Sequence, residues 1–127
     1  VITPLTISNL SIENLYILSP DNAHRKVNRF FVKKTPISQI RISKDIEIIE
    51  EGAFASTQAS MIKIENDRNL TERCALKSIG DYAFDSANLG EIYIPDTVTF
   101  IGNGAFKNCQ YFTSLHFIIP NSRRGYV

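Results

Sequence analysis

The chain has 127 residues, 14 basic and 13 acidic side chains, a net charge of +1 and an apolar content of 43%. That length suits one domain and signals no second, and the balance of charge and apolar residues favours neither nucleic-acid binding nor intrinsic disorder. No apolar run approaches the roughly 18 residues of a membrane span, no leader pattern is visible and residue 1 is Val, so the chain reads as mature, trimmed or a fragment.

Residues 1–34 carry a short period. Ile2, Ile7, Ile12 and Ile17 recur every five residues, as do Leu5, Leu10 and Leu15, giving Leu5-Thr6-Ile7, Leu10-Ser11-Ile12 and Leu15-Tyr16-Ile17. An odd period cannot keep one face buried along a straight strand. Three readings are open: a β-rich cap that bends between short strands, a piece of a four-sided pentapeptide-type solenoid (Asn9-Leu10, Asn14-Leu15), or degenerate copies of the repeat that follows. Ser19-Pro20-Asp21-Asn22 reads as a turn. The most basic stretch runs from His24 to Lys34, with Arg25, Lys26, Arg29, Lys33 and Lys34 around Val27, Phe30, Phe31 and Val32. Contact with anionic glycans or nucleic acid is one reading; a degenerate repeat with a solvated face is preferred. Asp45, Glu47, Glu50 and Glu51 form an acidic counterpart, read as a solvated edge.

A longer repeat occupies residues 35–118. Ile40-x-Ile42-x-x-x-Ile46-x-x-Ile49-x-x-x-Ala53-Phe54 superimposes, apolar position on apolar position, on Ile92-x-Ile94-Pro95-x-x-Val98-x-x-Ile101-Gly102-x-x-Ala105-Phe106. The middle copy is split into Ile62-x-Ile64 and Leu76-x-x-Ile79-Gly80-x-x-Ala83-Phe84. Ile64 to Leu76 spans twelve residues where the other copies span four, which reads as a surface loop inserted near 65–75. A recurring apolar phrase at such intervals marks a solenoid, in which each repeat buries its apolar side against its neighbours. Each Ile-x-Ile turns both side chains to one face of a short strand. The expectation is a repeat solenoid, mostly β, with short parallel strands stacked between coils and little regular helix. Phe54, Phe84 and Phe106 fill the interior, Pro95 suits a strand end, and Gly80 and Gly102 stand where a turn calls for positive φ. Residues 119–127 read as a tail. A solenoid needs capping repeats at both ends, and the C-terminal end looks uncapped, which points to a fragment.

The phrase from Ile92 to Cys109, Ile-x-Ile-Pro-x-x-Val-x-x-Ile-Gly-x-x-Ala-Phe-x-x-Cys, resembles the BspA-like leucine-rich repeat. The resemblance covers roughly Ile40 to Phe117, with a start as early as Phe31. It implies a leucine-rich-repeat solenoid on a cell-surface or secreted protein, associated with adhesion to host matrix proteins and other cells. It carries no catalytic residues and no cofactor. Departures are Ser43 and Glu65 in place of Pro, Glu50 in place of Gly, and Thr57 and Ala87 in the place of Cys109.

Candidate sites are few. No CxxC, Gly-rich phosphate loop or Ser/His/Asp set can be assembled, so neither enzyme nor metal chemistry is expected. Cys109 reads as core packing, and Cys74–Cys109 is an open disulfide pairing. Asn9 and Asn69 begin sequons. The outward residues of successive strands are Arg41, Lys63, Tyr93 and His116; the widest interval, from Lys63 to Tyr93, contains the inserted segment. Stacked about 4.8 Å apart, they would make a cationic and aromatic ladder for a protein partner, either a host matrix or cell-surface protein or a neighbouring subunit of an assembly. The top register is open, because Phe117-Ile118-Ile119-Pro120 competes with Leu115-His116-Phe117 as the strand.

Overall fold

The computed structural model describes residues 12–19, 25–32, 36–65 and 74–118. Among these residues there is no helix; nine strands wind as a parallel solenoid of about four turns. The longer strands are β1 (Ile12–Ile17), β3 (Ile37–Ile42), β5 (Met61–Ile64), β7 (Glu91–Pro95) and β9 (Ser114–Ile118). The short strands are β2 (Lys26–Val27), β4 (Ile48–Ile49), β6 (Ser78–Ile79) and β8 (Phe100–Ile101). All ladders are parallel: β1-β3-β5 and β7-β9 on one wall, β2-β4-β6-β8 on another.

Alternation decides what is inside. Ile40 and Ile42, Ile62 and Ile64, and Ile92 and Ile94 are buried, while Arg41, Lys63 and Tyr93 between them are exposed. A parallel strand offers β-branched side chains a pleated surface on which the next coil's identical row packs. The Phe rings stack as the repeat requires, Phe54 to Phe84 at 5.4 Å and Phe84 to Phe106 at 5.2 Å between centroids. Backbone bonds run beside them, with the Phe54 N–H donating to the Ala83 carbonyl and the Phe84 N–H to the Ala105 carbonyl, both at 2.7 Å.

The described part of the N-terminal segment, residues 12–19 and 25–32, winds as a coil of the same stack. Ile12, Leu15 and Ile17 pair with Ile37, Ile40 and Ile42, so the five-residue recurrence becomes here the three-plus-two spacing of a single strand. Val27-Asn28-Arg29-Phe30-Phe31-Val32 lies under Ile49-Glu50-Glu51-Gly52-Ala53-Phe54: Val27 pairs with Ile49, and the Val32 N–H donates to the Ala53 carbonyl at 3.0 Å. Val32 is fully buried in the Phe position. The repeats at Leu5 and Leu10, the turn around Pro20, His24, Lys33, Lys34, both sequons and the tail lie outside the described residues.

The basic stretch and its acidic counterpart meet coil on coil. Arg25 pairs with Glu47 at 3.2 Å and Arg29 with Glu51 at 2.8 Å, each pair 22 residues apart. Surface pairs of this kind contribute at most about 1 kcal/mol each, but they neutralise Arg25 and Arg29, two of the cations that would have attracted an anionic polymer.

The split copy keeps its register. Ahead of the added segment the Glu65 N–H donates to the Ile42 carbonyl at 2.9 Å, and after it the Ala75 N–H donates to the Lys44 carbonyl at 2.7 Å. Acceptors only two positions apart on the earlier coil are thus met from opposite ends of the insertion. The coil is aligned with the one before it on both sides.

The expectation of positive φ at Gly80 and Gly102 is not met. The left-handed glycines are Gly52 (φ 62°) and Gly104 (φ 63°). Gly80 and Gly102 are needed for close approach instead. A Cβ on Gly80 would lie 2.8 Å from the Glu50 carbonyl carbon, and one on Gly102 2.5 Å from the Asp81 nitrogen. Left-handed φ recurs at two levels of the stack, one at Ser56 (60°), Ser86 (58°) and Asn108 (57°), the other at Phe30 (50°), Gly52, Tyr82 (55°) and Gly104. At the second level the rings and glycines meet. There each aromatic ring covers the glycine of the next coil, with Phe30 over Gly52 and Tyr82 over Gly104.

Candidate functional site

Strand pairing carries the outward side chains into register. Tyr16, Arg41 and Lys63 align across β1, β3 and β5, and Tyr93 aligns with His116 across β7 and β9. Two rungs engage their neighbours closely. The Arg41 guanidinium carbon lies 4.6 Å from the Tyr16 ring centroid, and Arg41 Nη2 lies 3.3 Å from Glu65 Oε1. The cation thus sits over a π-face while a carboxylate neutralises it. A hydrogen bond to the Glu65 carboxylate, chiefly, and partial desolvation hold the Tyr16 phenol above its ordinary pKa.

At the other end the Tyr93 and His116 rings stack at 4.4 Å and 12°. His116 Nε2 lies 3.1 Å from Glu91 Oε2 and 3.0 Å from Ser114 Oγ. Serine, histidine and glutamate together suggest hydrolysis by residue type, but geometry rejects it. A relay needs the serine on one imidazole nitrogen and the carboxylate on the other, whereas here both crowd Nε2. Lys63 stands between the two clusters, exposed, with no ion-pair partner among the described residues.

All four predicted residues therefore lie on the outer face of the long-strand wall, and the register joins Arg41 to Lys63 and Tyr93 to His116. Between Lys63 and Tyr93 the strands are neighbours without a ladder. The pairing of Tyr93 with His116 selects Leu115-His116-Phe117 as the top strand. Sequence reasoning missed Tyr16. Its signal was present, since Leu15-Tyr16-Ile17 matches Ile40-Arg41-Ile42 residue for residue in the ladder, but the five-residue recurrence drew attention away from it. Met61 was missed too; it is half exposed beside Lys63, one alternation back on β5.

The remaining reactive groups lie elsewhere. Cys74 is buried, Cys109 is half-buried and both are free thiols. Desolvation raises the pKa of each, which keeps them protonated and unreactive. Cys109 Sγ donates to the Phe84 carbonyl at 3.1 Å, at the level where Thr57 and Ala87 are buried in the coils before it. Among the described residues no group of three or more His, Cys, Asp or Glu side chains could hold a metal ion, and no helix is long and apolar enough to cross a membrane.

The profile described as BspA type Leucine rich repeat region matches this chain in six copies over residues 3–77 and 77–123. Two solved structures are similar. One, the pneumococcal vaccine antigen PcpA, is 22% identical with a TM-score of 0.65, over 88% of this chain and 30% of its own. The other, a leucine-rich repeat protein from Eubacterium ventriosum, is 19% identical with a TM-score of 0.53, over 87% of this chain and 33% of its own. This chain thus spans about a third of the length of each. No curated protein matches it.

Proposed function

The chain belongs to the BspA-type leucine-rich repeat family, and from that premise we propose that it is a non-enzymatic protein-binding module of a cell-surface or secreted adhesion or recognition protein. The observation that carries this reading is the outward row on one wall, with Tyr16, Arg41 and Lys63 in one register and Tyr93 and His116 in another. Arg and Tyr are the residue types most enriched at protein interfaces and at their energetic centres. Here the aromatic rungs are held by stacking before any partner arrives, which reduces the ordering cost of binding. Similarity to a pneumococcal vaccine antigen supports a surface location, and the partner is a host matrix or cell-surface protein. Arg41→Ala, Lys63→Ala, Tyr93→Ala and His116→Ala are each expected to weaken binding to an immobilised matrix protein about tenfold, equal to about 1.4 kcal/mol. Wild-type affinity in all four variants would remove the row from consideration.

One observation favours a second reading, a structural subunit packed within a larger assembly. Phe100, Ile101, Tyr111, Leu115 and Phe117 are exposed. Ile101, Leu115 and Phe117 occupy register positions whose counterparts one coil earlier, Ile79, Ile92 and Ile94, are almost fully buried. Packing against a neighbouring subunit would bury them. Light scattering distinguishes the readings: a monomer at micromolar concentration is expected for the adhesion module, and a concentration-dependent oligomer abolished by Phe117→Lys would favour the assembly.

A further inference from the structure

The coils are not joined equally on all sides. On the long-strand wall β1, β3 and β5 form one sheet and β7 and β9 another, although β5 and β7 lie side by side. On the opposite side the same two coils are bonded throughout. Thr99 N–H donates to the Lys77 carbonyl at 2.9 Å, Gly102 to Ile79 at 2.8 Å, Tyr82 to Asn103 at 3.0 Å, Phe84 to Ala105 at 2.7 Å and Ser86 to Lys107 at 2.8 Å. The Phe54–Phe84–Phe106 stack runs unbroken behind them.

The peptide groups at the seam can be identified. In a parallel strand the N–H and C=O of one residue point the same way, and alternate residues point to opposite neighbours. Glu65 N–H donates to the Ile42 carbonyl, so the peptide groups of Lys63 face β3 and those of Ile62 and Ile64 face β7. Thr113 N–H donates to the Gly90 carbonyl, so the groups of Ile92 and Ile94 face β9 and those of Glu91 and Tyr93 face β5. The seam crosses the outward row between Lys63 and Tyr93.

We infer that the seam between β5 and β7 is a hinge: the third and fourth coils are clamped along β6-β8 and the Phe stack and open and close at the strand wall, changing the spacing of Lys63 and Tyr93. An unmade ladder removes the bonds that resist separation on one wall only, and regions held by few protected backbone bonds open at lowest cost. The use of the hinge, to fit the two halves of the row to a partner, rests on the function proposed above; the hinge itself does not.

Residue-resolved amide exchange on the free 127-residue protein tests it. The amides of Ile62, Ile64, Glu91 and Tyr93 are expected to exchange on the order of tenfold or more faster than those of Lys63, Glu65, Ile92 and Ile94, and faster than Gly102 and Phe84 on the clamped side. Equal protection within each strand would overturn the hinge, as would fast exchange at Gly102 and Phe84. Because no partner is present in this experiment, a hinge without matrix binding and matrix binding without a hinge are separate outcomes.

Discussion

Phe84→Ala is expected to lower the unfolding free energy by about 3–5 kcal/mol, the range for truncating a fully buried aromatic residue. Phe84 has no exposed surface and lies between two rings, 5.4 Å from Phe54 and 5.2 Å from Phe106. Its removal leaves a void that neither neighbour can fill, because both are fixed to their own coils by the backbone bonds on either side. Phe106 provides the comparison. It is half-buried and tilted against Phe112 at 5.3 Å, so Phe106→Ala forfeits less apolar burial and opens a space that water enters. Urea unfolding of the two variants measures the difference. A Phe84→Ala loss no greater than that of Phe106→Ala would mean that the ring column is not the core of the stack.

Gly80→Ala is expected to cost about 1–3 kcal/mol, the usual penalty for forcing extra volume into a packed interior. The substitution is the smallest possible, but the new methyl would lie 2.8 Å from both the Glu50 carbonyl carbon and the Glu51 nitrogen and 3.0 Å from the Ile49 oxygen. These are backbone atoms of the preceding coil, so no side chain can swing aside and the coils themselves must part. That strains the 2.7 Å bond from the Gly80 N–H to the Ile49 carbonyl. Gly90→Ala is the control. Its Cβ would meet only the Tyr111 oxygen at 3.7 Å, an ordinary contact, and losing a glycine from the unfolded chain is neutral or favourable there. Thermal unfolding midpoints lowered equally by both substitutions would show that glycine matters here for some reason other than coil spacing.

The two substitutions differ in how readable they were. The importance of Phe84 follows from the repeated Ala-Phe phrase. The role of Gly80 does not, because the repeat names the residue without the reason. A glycine serves for positive φ or for close approach, and only the distance from Gly80 to the Glu50–Glu51 peptide group of the preceding coil separates the two. The outward row divides in the same way. Arg41, Lys63 and Tyr93 are legible because each stands between two inward Ile residues, which is a local fact. Tyr16 stands between Leu15 and Ile17, but its strand is spaced three-plus-two, and the five-residue recurrence of the N-terminal segment hides the match.

The solenoid, the inward positions and most of the outward row were legible in the residues alone, since every coil repeats one local pattern and strand alternation turns that pattern into inside and outside. What passes between coils emerged only on packing: Tyr16 beneath Arg41, His116 rather than Ile118 beside Tyr93, the backbone contact at Gly80 and the missing ladder between β5 and β7. Each of these depends on the approach of backbones some 23 to 30 residues apart. A periodic sequence says that neighbouring coils meet, but the distance at which they meet is set only when all the side chains between them are packed.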